Sequence, residues 1–280
     1  MTAAPSGTAP LTDTFEWEGR SIAHTVLGEG PDVVFNHGTP FSSRVWAPYA
    51  AALASKYRVH LWDMPGYGES SKRPQDRVDF DAQARAFDAM LDHWGLDRPH
   101  VVAHDFGGAV AWRETLVNGR SYASLFLVDP VSIPPIGSPF FQFVQDNPQL
   151  EELPDFIHEA AVTAYIRGAS AAGFSDDELT QLVEPWLGDT GQPAYYRQIE
   201  QFDERYLREN EERLHHISCP VRLVWAEEDD WIPLDYGSTL AAKIPNVEYS
   251  TIPAAGHLVQ HDAPVQLTAA LVDWLALQTA

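Results

Sequence analysis

The chain is poor in cysteine, in positive charge and in long apolar runs. Cys219 is the single cysteine among 280 residues. No disulfide can close within the chain, which fits a reducing compartment, and a cytoplasmic location is expected. Lys and Arg number 18 against 40 Asp and Glu, giving a net charge of −22. Nucleic acids and anionic membranes need basic patches to bind them, so neither is an expected partner. Runs such as Leu125-Phe126-Leu127-Val128 are far too short to span a bilayer. The opening MTAAPSGTAP has neither the basic nor the apolar region of a secretory leader, and residues 1–10 read as a flexible tail. A small, neutral substrate fits this balance best, and a homodimer stays open as a protein partner.

What is present is enough to build a core: 45% of residues are hydrophobic and 11% aromatic. Short apolar runs alternate with helical periods. Thr14–Trp17 and Ser21–Val26 read as strands joined by Glu18-Gly19, and 32–36 and 57–62 read as further strands. Arg44–Ser55 and Asp79–Trp94 have helical spacing, the second ending at Gly95. Strands at 100–103 and 125–128 flank a helix that begins at about Phe106. The alternation stops after Asp129 and resumes at Val221. The expected fold is therefore α/β, a mostly parallel, doubly wound sheet with an inserted helical lid. The expected boundaries are 11–133 and 217–280 for the two parts of the core and 134–216 for the lid, which would cover the carboxyl edge of the sheet.

The segment Val101-Val102-Ala103-His104-Asp105-Phe106-Gly107-Gly108 places an acid between a strand and a helix, flanked by small residues. This is the frame of a nucleophile elbow, in which the turn is too tight for larger neighbours. The plainer alternative is that Asp105 caps the following helix. The best serine competitor, Gly168-Ala169-Ser170-Ala171-Ala172, follows a helical stretch rather than a strand.

The elbow is accompanied by His37-Gly38-Thr39-Pro40, by Asp63-Met64-Pro65-Gly66-Tyr67-Gly68-Glu69-Ser70, and by a late Asp and His. With these motifs in this order, the chain from about Phe15 to Leu275 resembles the α/β-hydrolases with an aspartate nucleophile, the branch of epoxide hydrolases and haloalkane dehalogenases, and is closest to the epoxide hydrolases. That resemblance implies a cofactor-free and metal-free hydrolase. Asp105 would attack a saturated carbon, and water would then cleave the resulting ester. His257, in Ala254-Ala255-Gly256-His257-Leu258, would activate the water. Asp229 is favoured to orient His257, and Asp129, at the end of an earlier strand, is the alternative. The backbone N–H groups of Phe106 and Thr39 would form the oxyanion hole. His100 and His104 are four residues apart on a strand, which does not assemble a helical metal face.

The two branches differ in how the leaving group is held. Where a dehalogenase would have Trp after the nucleophile, this chain has Phe106, which carries no donor, and Thr39 replaces a common Asn. Pro193-Ala194-Tyr195-Tyr196-Arg197 resembles the Tyr-Arg pair of epoxide hydrolase lids and selects Tyr196 as acid. The position of a second lid tyrosine is taken by Phe141, with Trp186 as a candidate replacement donor. His37, Phe141, Trp186 and Tyr195 are expected to touch substrate. The lid aromatics, including Phe140, Phe143, Phe156, Tyr165 and Phe174, are expected to supply an apolar pocket.

Overall fold

A computed structural model describes residues 9–279. Most of the expected tail, residues 1–8, therefore lies outside the described residues. An eight-stranded sheet runs in the order β1-β2-β4-β3-β5-β6-β7-β8. β1 (Asp13–Trp17) and β2 (Arg20–Leu27) form a hairpin that joins antiparallel to β4 (Arg58–Trp62). β3 (Asp32–Asn36), β5 (His100–His104), β6 (Ser124–Val128), β7 (Val221–Ala226) and β8 (Glu248–Ile252) continue the sheet in parallel with β4. Parallel strands are covered on both faces, which is why they read as continuous apolar runs.

Successive side chains leave a strand on opposite faces, and β3 shows this directly. Val34 joins one core with Trp62, Phe87 and Trp112, whereas Val33 and Phe35 join the other with Trp46, Tyr49 and Trp274. The first core is covered by α2 (Phe80–His93) and α3 (Phe106–Leu116), the second by α1 (Ala47–Leu53) and the C-terminal α11 (Pro264–Gln278). The helix expected over 44–55 is split: a 3-10 turn, Ser43–Trp46, precedes α1. Pro48 lies in the first turn of α1, where its missing N–H does no harm. Asp79 caps α2 by accepting from the Ala82 amide, and Gly95 takes φ +69° just beyond its end.

No strand falls between β6 and β7. That stretch folds as α4 (Pro139–Asp146), α5 (Asp155–Arg167), α6 (Asp176–Val183), α7 (Gly188–Glu200) and α8 (Glu204–Glu211), with short 3-10 turns between them. α9 (Leu234–Ala241) and the short α10 (Val259–Asp262) follow β7 and β8. The helical block is bonded to the core by specific polar links: Trp186 donates its indole N–H to the Pro40 carbonyl at 2.7 Å, and Gln201 accepts from the Val78 amide at 2.7 Å. Among the described residues no helix is long and apolar enough to cross a membrane.

The parallel strands place Asn36, His104, Val128, Ala226 and Ile252 at one edge, so the loops that begin after them converge. Two glycines permit the closest approach. A Cβ on Gly107 would lie 2.5 Å from the His37 carbonyl oxygen, and one on Gly108 would collide with the Pro130 ring. Gly107→Ala should therefore overpack the junction of β3 and α3 and destabilise the protein by about 1–3 kcal/mol. A drop of several degrees in the thermal midpoint checks this, and an unchanged midpoint would show that the two loops separate freely.

Candidate active site

Asp105 sits between β5 and α3 with φ 50° and ψ −121°. It occupies the cap position of α3, but its side chain caps nothing there. The carboxylate turns instead to β3's loop, where Oδ1 accepts the Thr39 amide at 2.7 Å. Gly38 makes room, since a Cβ there would lie 2.5 Å from the Asp105 Cβ. Phe106 opens α3, so its own amide has no partner in the preceding turn. The Thr39 amide is the backbone donor that meets the carboxylate.

His257 is fully buried, with Nε2 3.5 Å from Asp105 Oδ2 and Nδ1 2.8 Å from Asp229 Oδ2. Asp229 is held by the turn after β7, where its Oδ1 accepts the Trp231 and Ile232 amides, both at 2.8 Å. Burial opposes a charge on His257, but the carboxylates of Asp229 and Asp105 outweigh it and raise its pKa well above the ordinary value. His104 packs against His257 with ring centroids 4.7 Å apart and donates from Nε2 to its backbone carbonyl at 3.0 Å. Burial, then the neighbouring His257, push the His104 pKa down to about 3, so it serves as a neutral strut.

Asp129, the alternative acid, also ends a strand and takes φ 39°. Its Oδ1 accepts the Ala226 amide at 2.9 Å, while Oδ2 is buried without a partner. Burial, followed by the charge of Asp229, raises its pKa well above the usual carboxylate range. The His257 bond goes to Asp229 rather than Asp129. Ser170, the serine competitor, donates its hydroxyl to Asp262 and accepts the Gly173 amide at 2.8 Å, so it braces a turn.

A family model described as "Alpha/beta hydrolase family" matches residues 33–271. The chain belongs to that family. An alpha/beta hydrolase fold protein from Burkholderia ambifaria is 45% identical to this hydrolase, superposes with a TM-score of 0.91, and is covered over 97% of its own chain and 94% of this one. The haloalkane dehalogenase DatA from Agrobacterium tumefaciens C58 shares the fold at TM-score 0.80 and 21% identity, covering 95% of this chain and 96% of its own. A 2-hydroxy-6-oxononadienedioate/2-hydroxy-6-oxononatrienedioate hydrolase from Paraburkholderia xenovorans is 24% identical over 89% of this chain and 88% of its own length.

Aromatic side chains wall the hydrolase's site. Phe106 packs with Phe141 at 6.2 Å and with Phe202 at 5.7 Å between ring centroids. Trp231 lies over His257 at 4.8 Å and stacks on Tyr165 at 4.3 Å. Trp231, Phe202 and Gln198 are neighbours that sequence reasoning gave no role. Tyr165 stood among the lid aromatics without distinction. Trp231 follows Asp229 by two residues, and that short interval was the signal available for it.

Four expectations need correction. The Tyr196 hydroxyl is paired with His158 Nδ1 at 3.1 Å, so it is not free to meet a substrate. The reason is helical: Gln198 faces Thr39, Tyr195 lies three residues before it on the same side of α7, and Tyr196 is turned roughly 100° further round. Tyr195 is the residue with a buried, unpartnered hydroxyl. Burial raises its pKa, as does the neighbouring Tyr165, and both phenols remain protonated donors. Trp186 cannot serve as a spare donor, because its indole is bonded to Pro40. His37 braces a loop instead of touching substrate: Nδ1 meets the Gly38 carbonyl at 3.0 Å, and Nε2 accepts the Met64 amide at 3.0 Å. Phe143 and Phe156 point outward, 54% and 70% exposed, and line nothing.

The two acids can be separated by isosteric changes. Asp229→Asn should lower hydrolytic turnover by about 10³-fold or more, the scale expected when the orienting acid of a nucleophile–histidine–acid set is neutralised. Asp129→Asn keeps an oxygen for the Ala226 amide and should stay within about threefold of the parent. Steady-state kinetics of both variants decide between them. A larger loss for Asp129→Asn would reverse their roles.

Proposed function

We propose that this hydrolase opens a small, largely apolar epoxide to a vicinal diol through an ester on Asp105, beneath a cap formed by the helical block. The observation that carries the reading is the Asp105 carboxylate, fixed by the Thr39 amide and facing His257. A carboxylate displaces a leaving group at saturated carbon, and its ester is then open to attack at the carbonyl. The walls supply aromatic surface. Arg197 and Lys72 donate to the Lys72 and Gly68 carbonyls, so neither is turned toward an anionic substrate.

In the first step an Asp105 oxygen bonds to an epoxide carbon as the carbon–oxygen bond of the ring breaks. The ring oxygen takes a proton from a phenol, with Tyr195 and Tyr165 as the donors under the cap. In the second step His257 Nε2 accepts a proton from water, and the new hydroxide adds to the Asp105 carbonyl carbon. Collapse of that adduct breaks the acyl bond. The departing diol oxygen takes its proton from His257, and Asp105 re-ionises as the phenol recovers its own. Overall, epoxide and water give diol, with every proton returned.

Enzyme in excess of substrate, in heavy-oxygen water, tests this sequence. The first diol released should carry unlabelled oxygen from Asp105, and the label should appear in the Asp105 peptide by mass spectrometry. Label in that first diol and none in Asp105 would mean direct attack by water and would overturn the reading. Halide release from a haloalkane panel without diol formation from epoxides would transfer the same ester chemistry to dehalogenation.

Esterification removes the charge of Asp105, one of the two carboxylates that raise the His257 pKa. The imidazole should therefore lose its proton more readily at the stage where a base is needed. Ester hydrolysis should accelerate with rising pH, as neutral imidazole accumulates. Its midpoint should lie below the His257 titration of the resting enzyme measured by NMR, and coincident midpoints would refute the link.

A further inference from the structure

We infer that Gln198 is a catalytic residue whose side-chain amide N–H holds the leaving oxygen while Asp105 attacks, an inference that rests on the ester reading above. Gln198 is 2% exposed and projects from α7 toward the nucleophile's loop. Its Oε1 accepts two hydroxyl donors, Thr39 Oγ1 at 2.7 Å and the Tyr67 hydroxyl at 3.2 Å. A carboxamide has two N–H donors besides that oxygen. With Oε1 fixed by both hydroxyls, Nε2 is aimed away from them, and among the described residues it makes no hydrogen bond.

The placement is close to the chemistry. The same Thr39 that donates its hydroxyl to Gln198 donates its amide to Asp105 Oδ1 at 2.7 Å. One residue therefore couples the amide to the nucleophile. Phe106 leaves the position after the nucleophile without a side-chain donor, and Gln198 reaches the region from the opposite side. An N–H donor without a protein partner contributes nothing in the empty site. It becomes favourable when negative charge develops in front of it, which is the property of a pre-organised transition-state donor. The amide keeps its proton throughout. It stabilises the oxygen by hydrogen bonding, and the proton transfer itself belongs to the phenols.

The test uses a His257→Gln background, in which the ester should accumulate, with styrene oxide as probe and mass gain on Asp105 as readout. Gln198→Glu retains an acceptor for Thr39 and Tyr67 but removes the amide donors. Gln198→Met is neutral, of similar length, and also lacks them. Loss of one such donor should slow saturated esterification by about 10²- to 10³-fold in both variants. A purely structural role would spare Gln198→Glu, and a purely charge-related effect would spare Gln198→Met. Esterification at the parental rate in either folded variant overturns the inference, and Gln198→Glu decides alone if Gln198→Met does not fold. If the background enzyme itself gains no mass on Asp105, the ester reading fails, and this inference falls with it.

Discussion

The backbone of Asp105 adopts φ 50° and ψ −121°, a region that residues with a Cβ avoid at a cost of order 1–3 kcal/mol. Much of the surrounding structure can be understood as what holds it there. Its amide donates to the Val128 carbonyl at 3.3 Å, and its own carbonyl accepts the Gly108 and Val131 amides at 2.9 and 3.0 Å. The glycines at 38, 107 and 108 let three loops close around it, and the central strand β5 delivers it to the carboxyl edge. In return the strained turn lifts the carboxylate out of the helix cap and presents it to Thr39 and His257. A relaxed backbone would return Asp105 to ordinary capping and turn its carboxylate away from Thr39 and His257.

A second constraint is electrostatic. Asp105, Asp229 and Asp129 crowd one buried imidazole. Asp229 is satisfied by two amides and by His257, and Asp105 by Thr39, whereas Asp129 has one bond and an unpartnered oxygen. Its environment favours the neutral acid, which limits the mutual repulsion of the three. His104 contributes by remaining uncharged beneath His257. The site thus keeps two negative groups on opposite sides of one imidazole.

Much of the sheet could be read from the sequence, because fully buried parallel strands leave short apolar runs with glycine, proline or acidic residues at their ends. The elbow was legible for the same reason: Ala103, Gly107 and Gly108 record how little space is available. The resemblance favoured Asp229 over Asp129 as the partner of His257, and the bond of His257 goes to Asp229. The helical block was far less legible. Its aromatic residues are all plausible pocket walls until the rotation of α7 is known, and adjacent Tyr195 and Tyr196 differ only in that rotation. Motif likeness favoured the second tyrosine, while the contacts of Gln198 with Thr39 turn the first inward. Trp186 and His37 were misjudged because a side-chain donor says nothing of which carbonyl or amide it will meet.

Two bonds from the helical block fall on adjacent residues of one short loop. Trp186 reaches Pro40 and Gln198 reaches Thr39, so adjacent residues of the loop carry both the cap and the amide that holds Asp105. Any displacement of α7 would pull on the peptide that orients the Asp105 carboxylate. The orientation of the Asp105 carboxylate is therefore tied to the seating of α7.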